Sequence, residues 1–431
     1  MLLSRYKTNL VKNILLVAFF LFFGKLISLA REIYFSYRYG SNYIVESFFF
    51  NFNIINLIGG ILLNTIIFYL VPLVYKNKDE ESKINEDFTI KTFNLFFCIG
   101  LVFQIIIFLV FYLGFNFNFF SLSSDVKEIA QKNYLIFCLV FPFLTMTYTL
   151  TSFLTTRNKH ISLFYESIPS FIMLIAVISF HSNIYILSTS FSFGVLLQFM
   201  ILLFHNNMIR VSILRKILSF KMLGLNRIFF IILIIQILFA LPNFIDHFVV
   251  SSFPQKSLAH FTYANKIYSI VYTIVFILVS RTLITFFLDS NNEITKGFIF
   301  YILISFGVGV IISTLLYYFS SEITLLLFER GSFSSMDTVI VSDLFRYFTF
   351  LVPFYLVKII FITYFYGKRE LDIIFKLLAT IFLSKCLYLV LIDKVVISDL
   401  IISTLIGFIM GSFYIVSILK TKYKSYILKI K

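Results

Sequence analysis

The 431-residue chain has no tryptophan, three cysteines, six prolines and few charges. Charged residues make up 13% of it, against ~25% in soluble domains. That shortage excludes a soluble enzyme or a disordered chain, because neither could cover so apolar a surface. Cys98, Cys138 and Cys386 lie far apart inside apolar runs, which excludes a disulfide framework. The five histidines have no paired metal spacing, and no metal ligand set is read. No P-loop is present, so ATP hydrolysis on this chain is excluded. Without tryptophan, the 26 tyrosines must supply the interfacial aromatic belt.

What is present is hydrocarbon. Hydrophobic residues make up 60% of the chain and Phe alone numbers 59. Apolar runs of 18 or more residues recur, each long enough to cross a bilayer as a helix. Strand alternation of the outer-membrane barrel kind is missing. The reading is an all-α polytopic membrane protein with twelve helices. The expected spans are 13–30, 47–75, 92–119, 134–154, 163–180, 183–204, 228–248, 259–288, 297–319, 341–366, 373–392 and 398–419.

Lys and Arg exceed Asp and Glu by 36 to 21. Most of the basic residues fall at the termini and in alternate loops, as the positive-inside rule requires of a cytoplasmic face. Both termini are therefore expected to be cytoplasmic, and loop 320–340 periplasmic. The basic balance needs no nucleic-acid partner. Loop 205–227 spaces Ile209, Ile213, Ile217 and Phe220 as an amphipathic helix would, with basic residues between. It is expected to link two lobes, residues 1–204 and 228–431.

An internal echo supports two lobes. Pro142 in the fourth span and Pro353 in the tenth each stand fifteen residues before a basic residue, Arg157 and Lys368. A six-span offset fits two pseudo-symmetric six-helix lobes around a central cavity, a common transporter plan.

Seven basic residues fall within spans: Lys25, Lys266, Arg281, Arg346, Lys358, Lys376 and Lys385. A charge at bilayer depth costs about 2.5–3.5 kcal/mol and must face a partner or a wet cavity. Lys25 and Lys266 are expected to line such a cavity, with Glu46, Asp246 or Asp343 as alternative partners. A cationic cavity suits an anionic solute such as a diphosphate. An exporter of organic cations needs the reverse charge.

Particular stretches resemble a known family. They are Gly24-Lys25-Leu26-Ile27-Ser28-Leu29-Ala30-Arg31-Glu32, Tyr39-Gly40, Glu46-Ser47-Phe48-Phe49, Asn56-Leu57, Val71-Pro72, Ile245-Asp246 and Tyr263-Ala264-Asn265-Lys266-Ile267. The most specific is Leu327-Phe328-Glu329-Arg330-Gly331-Ser332-Phe333. Together they resemble the MurJ/MviN lipid II flippases of the multidrug/oligosaccharidyl-lipid/polysaccharide exporter superfamily. The resemblance implies an inner-membrane transporter, not an enzyme. It would move an anionic polyprenyl-diphosphate glycan, lipid II, between leaflets by alternating access. Other such glycans (O-antigen or capsule type) and cation-coupled export of small solutes are the alternatives. A glycan polymerase would need a large outer loop with catalytic acids.

The resemblance places Lys25, Arg31 and Lys266 on substrate-binding cations and Glu46 on a gating acid; Asp246 is a further candidate gating or charge partner. The family's arginine pair in its second helix appears here as Gly59-Gly60, and twelve spans are read where the family usually has fourteen. In some members the eleventh helix helps to build a sodium site. Here that span carries Lys376 and Lys385 and no acid, so Lys385 is expected either to act as a tethered cation or to snorkel toward the outer surface. No cofactor is implied beyond dependence on membrane potential. The protein is expected to work as a monomer among membrane lipids.

Overall fold

The computed structural model describes residues 2–76, 86–117, 119–156, 161–180, 185–206, 224–271, 296–368 and 370–430. Among these, every regular element is a helix. The elements are α1 (Leu2–Tyr39), α2 (Tyr43–Lys76), α3 (Glu86–Asn116), α4 (Ser124–Thr156), α5 (Ser162–Tyr165), α6 (Ile168–Ser179), α7 (Ile186–His205) and α8 (Arg227–Val250). There follow α9 (257–271), α10 (Lys296–Tyr318), α11 (Ser320–Phe328), α12 (Ser335–Thr349), α13 (Val352–Gly367), α14 (Leu371–Leu391) and α15 (Ile397–Ile430).

Nine helical stretches among the described residues are long and apolar enough to cross a membrane, or ten with α12 and α13 taken as one bent span. They coincide with ten of the expected spans. Helix α1 covers the first, and α9 covers the described part of the eighth. The expected amphipathic helix at 205–227 and Arg281 lie largely or wholly outside the described residues.

The two proline-bearing spans differ. Helix α4 runs through Pro142 without a break. The Thr145 hydroxyl donates back to the Pro142 carbonyl at 2.7 Å, the usual local bond of a threonine inside a helix. In the tenth span the chain breaks at residues 350–351, and the halves bend by 46°. There Pro353 takes the first turn of a new helix, where its missing N–H costs nothing.

By contacts the chain forms two compact units. The first is Met1–Ile237 with His247–Leu258, and the second is Leu238–Asp246 with Ala259–Lys431. Residues of α8 belong to both. The sequence expectation opens the second lobe at 228, whereas residues 227–237 group with the first unit. There the Phe229 ring meets Tyr69 at 5.3 Å and Phe96 at 6.2 Å between centroids.

Each unit is held by close helix approaches at small residues. In the first, a Cβ on Gly100 of α3 would lie 2.9 Å from Pro142 Cα, and one on Gly194 of α7 would lie 2.5 Å from Pro169 Cα. In the second, a Cβ on Gly309 of α10 would lie 2.6 Å from Pro353 Cα, and one on Gly407 of α15 would lie 2.6 Å from the Ile381 carbonyl oxygen. Each contact in the second unit lies roughly 210 positions after its counterpart, so the echo of two prolines extends to a set of four matched contacts, as a duplicated transporter core predicts. Lipid tails give helices no hydrophobic reason to associate, so backbone approach at small residues carries the packing.

Gly194→Ala and Gly407→Ala should therefore each destabilise the protein by about 1–3 kcal/mol, the usual cost of overpacking. Gly60→Ala, with nothing within 4 Å of the added methyl, should instead raise the unfolding temperature slightly, because alanine is the better helix former. Thermal unfolding in detergent checks all three.

Candidate functional site

Helix α1 brings Lys25 and Arg31 into the first unit. Arg31 is 4% exposed. Its guanidinium pairs with Glu32, donates to Ser170 Oγ of α6 at 3.1 Å and to Met173 Sδ at 3.7 Å. It also lies over the rings of Phe35 and Phe52, at 5.6 and 5.2 Å from their centroids. Arg31 thus joins α1 to α6 and is largely spent on that task.

Lys25 is half-buried. Its electrostatic neighbours are Glu166, at the break between α5 and α6, and Arg31. The acids proposed as its partners from sequence are engaged elsewhere. Asp343 pairs with Arg346 at 2.8 Å, and Glu46 and Asp246 have the partners described below. Glu166 was not singled out by sequence reasoning, although an acid in Leu163-Phe164-Tyr165-Glu166 at the edge of a span is a readable signal. Tyr148 of α4, half-buried, lies in the same field. A Cβ on Gly59 would come within 2.8 Å of the Tyr148 hydroxyl. Gly59 is therefore the position where α2 makes room for a polar group from α4.

Glu46, in the first turn of α2, is 4% exposed. Its carboxylate accepts the backbone N–H groups of Lys256 and Leu258 at 2.9 and 3.0 Å. These N–H groups open α9, where a helix leaves its first donors without internal partners. A negative charge is favoured there by the helix dipole.

Lys266 lies in the second unit, half-buried on α9. Its helix is positioned by the Leu327–Phe333 segment. Tyr263, wholly buried, packs against Phe328 and Phe333 at 5.0 and 5.5 Å between centroids. The His260 imidazole meets Asp337 at 2.7 Å. Asp337 also closes a capping box with Ser334 at the start of α12. The most specific sequence match thus acts as a clamp one helical turn from Lys266.

Asp246 and His247 are adjacent in sequence and have separate partners. His247 Nδ1 meets Asn53 Nδ2 at 3.2 Å in the first unit. Asp246 pairs with Lys385 in the second. Lys385 is completely buried. Its ammonium also donates to the Pro242 carbonyl at 3.0 Å and to Thr404 Oγ1 at 2.7 Å. A carboxylate, a carbonyl and a hydroxyl therefore enclose one fixed positive charge. Of the remaining intramembrane cations, Lys376 is exposed, Arg346 is bound to Asp343 and two serines of α11, and Lys358 is caged by aromatic rings.

Long apolar helices in two units, with cations held inside them, define a multi-pass membrane protein. Comparison with solved structures agrees on the fold. The lipid II flippase MurJ in its inward closed conformation superposes with a TM-score of 0.74 at 21% identity, covering 94% of this chain and 87% of that one. An inward-facing multidrug resistance MATE transporter gives 0.67 at 15% identity, covering 95% and 96%. The family model of the lipid II flippase MurJ matches residues 35–430, and the chain belongs to that family. A probable lipid II flippase from Buchnera aphidicola is 24% identical over 415 residues, 88% of this chain and 77% of that protein. The function is lipid II flipping, which is transport of a lipid-linked substrate and not an enzymatic reaction.

Two stability predictions follow from the charges. Lys385→Met should destabilise by about 3–5 kcal/mol, because it leaves Asp246 buried and unpaired, and adding Asp246→Leu should recover most of the loss. Glu46→Ala should lower stability by about 1–3 kcal/mol by stripping two buried N–H groups, with Glu46→Gln intermediate. Denaturation of the purified variants reads both.

Proposed function

We propose that this chain carries lipid II from the cytoplasmic to the periplasmic leaflet of the bacterial inner membrane by alternating access, as a monomer with both termini in the cytoplasm. The observation that carries the reading is the family match across residues 35–430, joined to one half-buried lysine on a helix of each unit, Lys25 and Lys266. In this mechanism each lysine, within its own unit, offers its ammonium group to the diphosphate for charge-assisted hydrogen bonds, while the polyprenyl tail stays in lipid. Arg31 supports Lys25 by fixing α1 on α6, and Glu46 acts as a gating charge at the start of α9. The membrane potential supplies about 2.3 kcal/mol per charge moved through 100 mV.

Lys385 is proposed as a tethered cation. Its three oxygen partners are the kind of donors a hard cation takes. Flipping should then be insensitive to sodium and lost in Lys385→Met. Sodium-dependent transport by the native chain would contradict this.

Depletion in the source bacterium provides the functional test. Lipid II should accumulate on the inner leaflet, and the native gene should clear it. Lys25→Ala and Lys266→Ala should fail to complement, while Lys25→Arg and Lys266→Arg should succeed because the charge is kept. Accumulation of a different lipid-linked glycan would change the substrate. Complementation by both alanine variants would remove the two lysines from the mechanism. A cysteine placed at Ser334 should react with an impermeant reagent from outside and one at Asn85 should not; the opposite pattern reverses the topology.

A further inference from the structure

The second unit holds another buried cation with a different environment. Lys358 of α13 is 8% exposed. Its Nζ lies 4.4 Å from the ring centroid of Phe408, 4.6 Å from Tyr355 and 4.7 Å from Phe239. Among the described residues no carboxylate, hydroxyl or carbonyl holds that ammonium. Three π faces around one cation form the arrangement that proteins use to bind alkylammonium ligands. The same faces repel anions, which separates Lys358 from the lysines assigned to the diphosphate.

Its position is also informative. Phe239, Pro242 and Asp246 recur along α8 at three- and four-residue spacing, and so share a face. Thr404 and Phe408 stand four residues apart on α15. One end of this seam, with Pro242, Asp246 and Thr404, holds the ammonium of Lys385. The other end, with Phe239 and Phe408, holds that of Lys358. Two helices thus form a seam with an oxygen-lined compartment and an aromatic one, each filled by a lysine from a third helix.

We propose that the aromatic compartment is a binding site for small alkylammonium ions, occupied in the native protein by Lys358 as an internal ligand. Lys358 is then a specificity-determining residue. It holds residues 238–246 of α8 against α13 and α15, and it denies the compartment to diffusible organic cations. Truncating the side chain to alanine removes the equivalent of propylammonium and opens the site to it. This inference does not depend on the roles given to Lys25 and Lys266.

The test uses the full-length purified protein and propylammonium as probe, with 1-propanol as the uncharged control. Lys358→Ala should show a lowered unfolding temperature that rises saturably with propylammonium and not with propanol. The native protein should respond to neither, and Lys358→Ala with Phe408→Leu should respond weakly. An unresponsive Lys358→Ala, equal rescue by propanol, or an equal response of the native protein would overturn the proposal. A second measurement covers the case in which the alanine variant cannot be purified. Lys358→Met and Phe408→Leu remove the same interaction, so their combined loss of stability should be smaller than the sum of the single losses. Strictly additive losses would overturn it as well.

Discussion

The constraint on which this structure rests is the cost of placing charge in hydrocarbon. Each cation within a span must be matched by an acid, a dipole, a π face or water. The protein uses all the dry solutions. Arg31 is satisfied by an acid, a hydroxyl and two rings. Lys385 is held by an acid and two neutral oxygens, and Lys358 by rings. Each of these arrangements joins helices far apart in sequence, so the charges also fix which helices pack together. Buried charge serves here for connection, at positions where apolar side chains facing apolar lipid would specify little.

The two units solve the same packing problem with different chemistry. Matched glycines approach the next helix in both. In the first unit the polar link runs from Arg31 on α1 to Ser170 on α6, the first and fifth spans. In the second it runs from Lys385 on α14 to Asp246 on α8, the eleventh and seventh spans. Corresponding helix pairs are therefore bridged in each repeat, with the cation on opposite members. Duplication preserved the need for a bridge and left its direction free. The resulting second unit carries its positive charge on the chain itself, enclosed by Asp246, Pro242 and Thr404.

Much of this was legible before the structure. Apolar run length depends only on local composition, so each expected span falls on a helix among the described residues, although α1, α4 and α15 run about ten residues beyond theirs, where polar residues continue the helix. The proline echo was visible for the same reason, and the glycine partners Gly100 and Gly309 were the unread half of it. The break between α12 and α13 was less legible, because Pro142 and Pro353 look alike in sequence while only Pro142 lies inside a continuous helix. Charge partners were least legible. Lys385 and Asp246 lie 139 positions apart, and nothing in either segment names the other. Glu166 was passed over because it sits at the edge of a span, where an acid is usually solvated. The aromatic cage around Lys358 was hidden among 59 phenylalanines, any of which could have been core.

Transbilayer movement of lipid II in vesicles containing only this protein tests the account most directly. With sodium absent and an inside-negative potential imposed, the native chain should expose lipid II on the opposite leaflet faster than protein-free vesicles do. Lys25→Ala of equal abundance and unfolding temperature should match the protein-free rate. Movement that requires sodium, or that proceeds at the native rate without the Lys25 charge, would contradict the account.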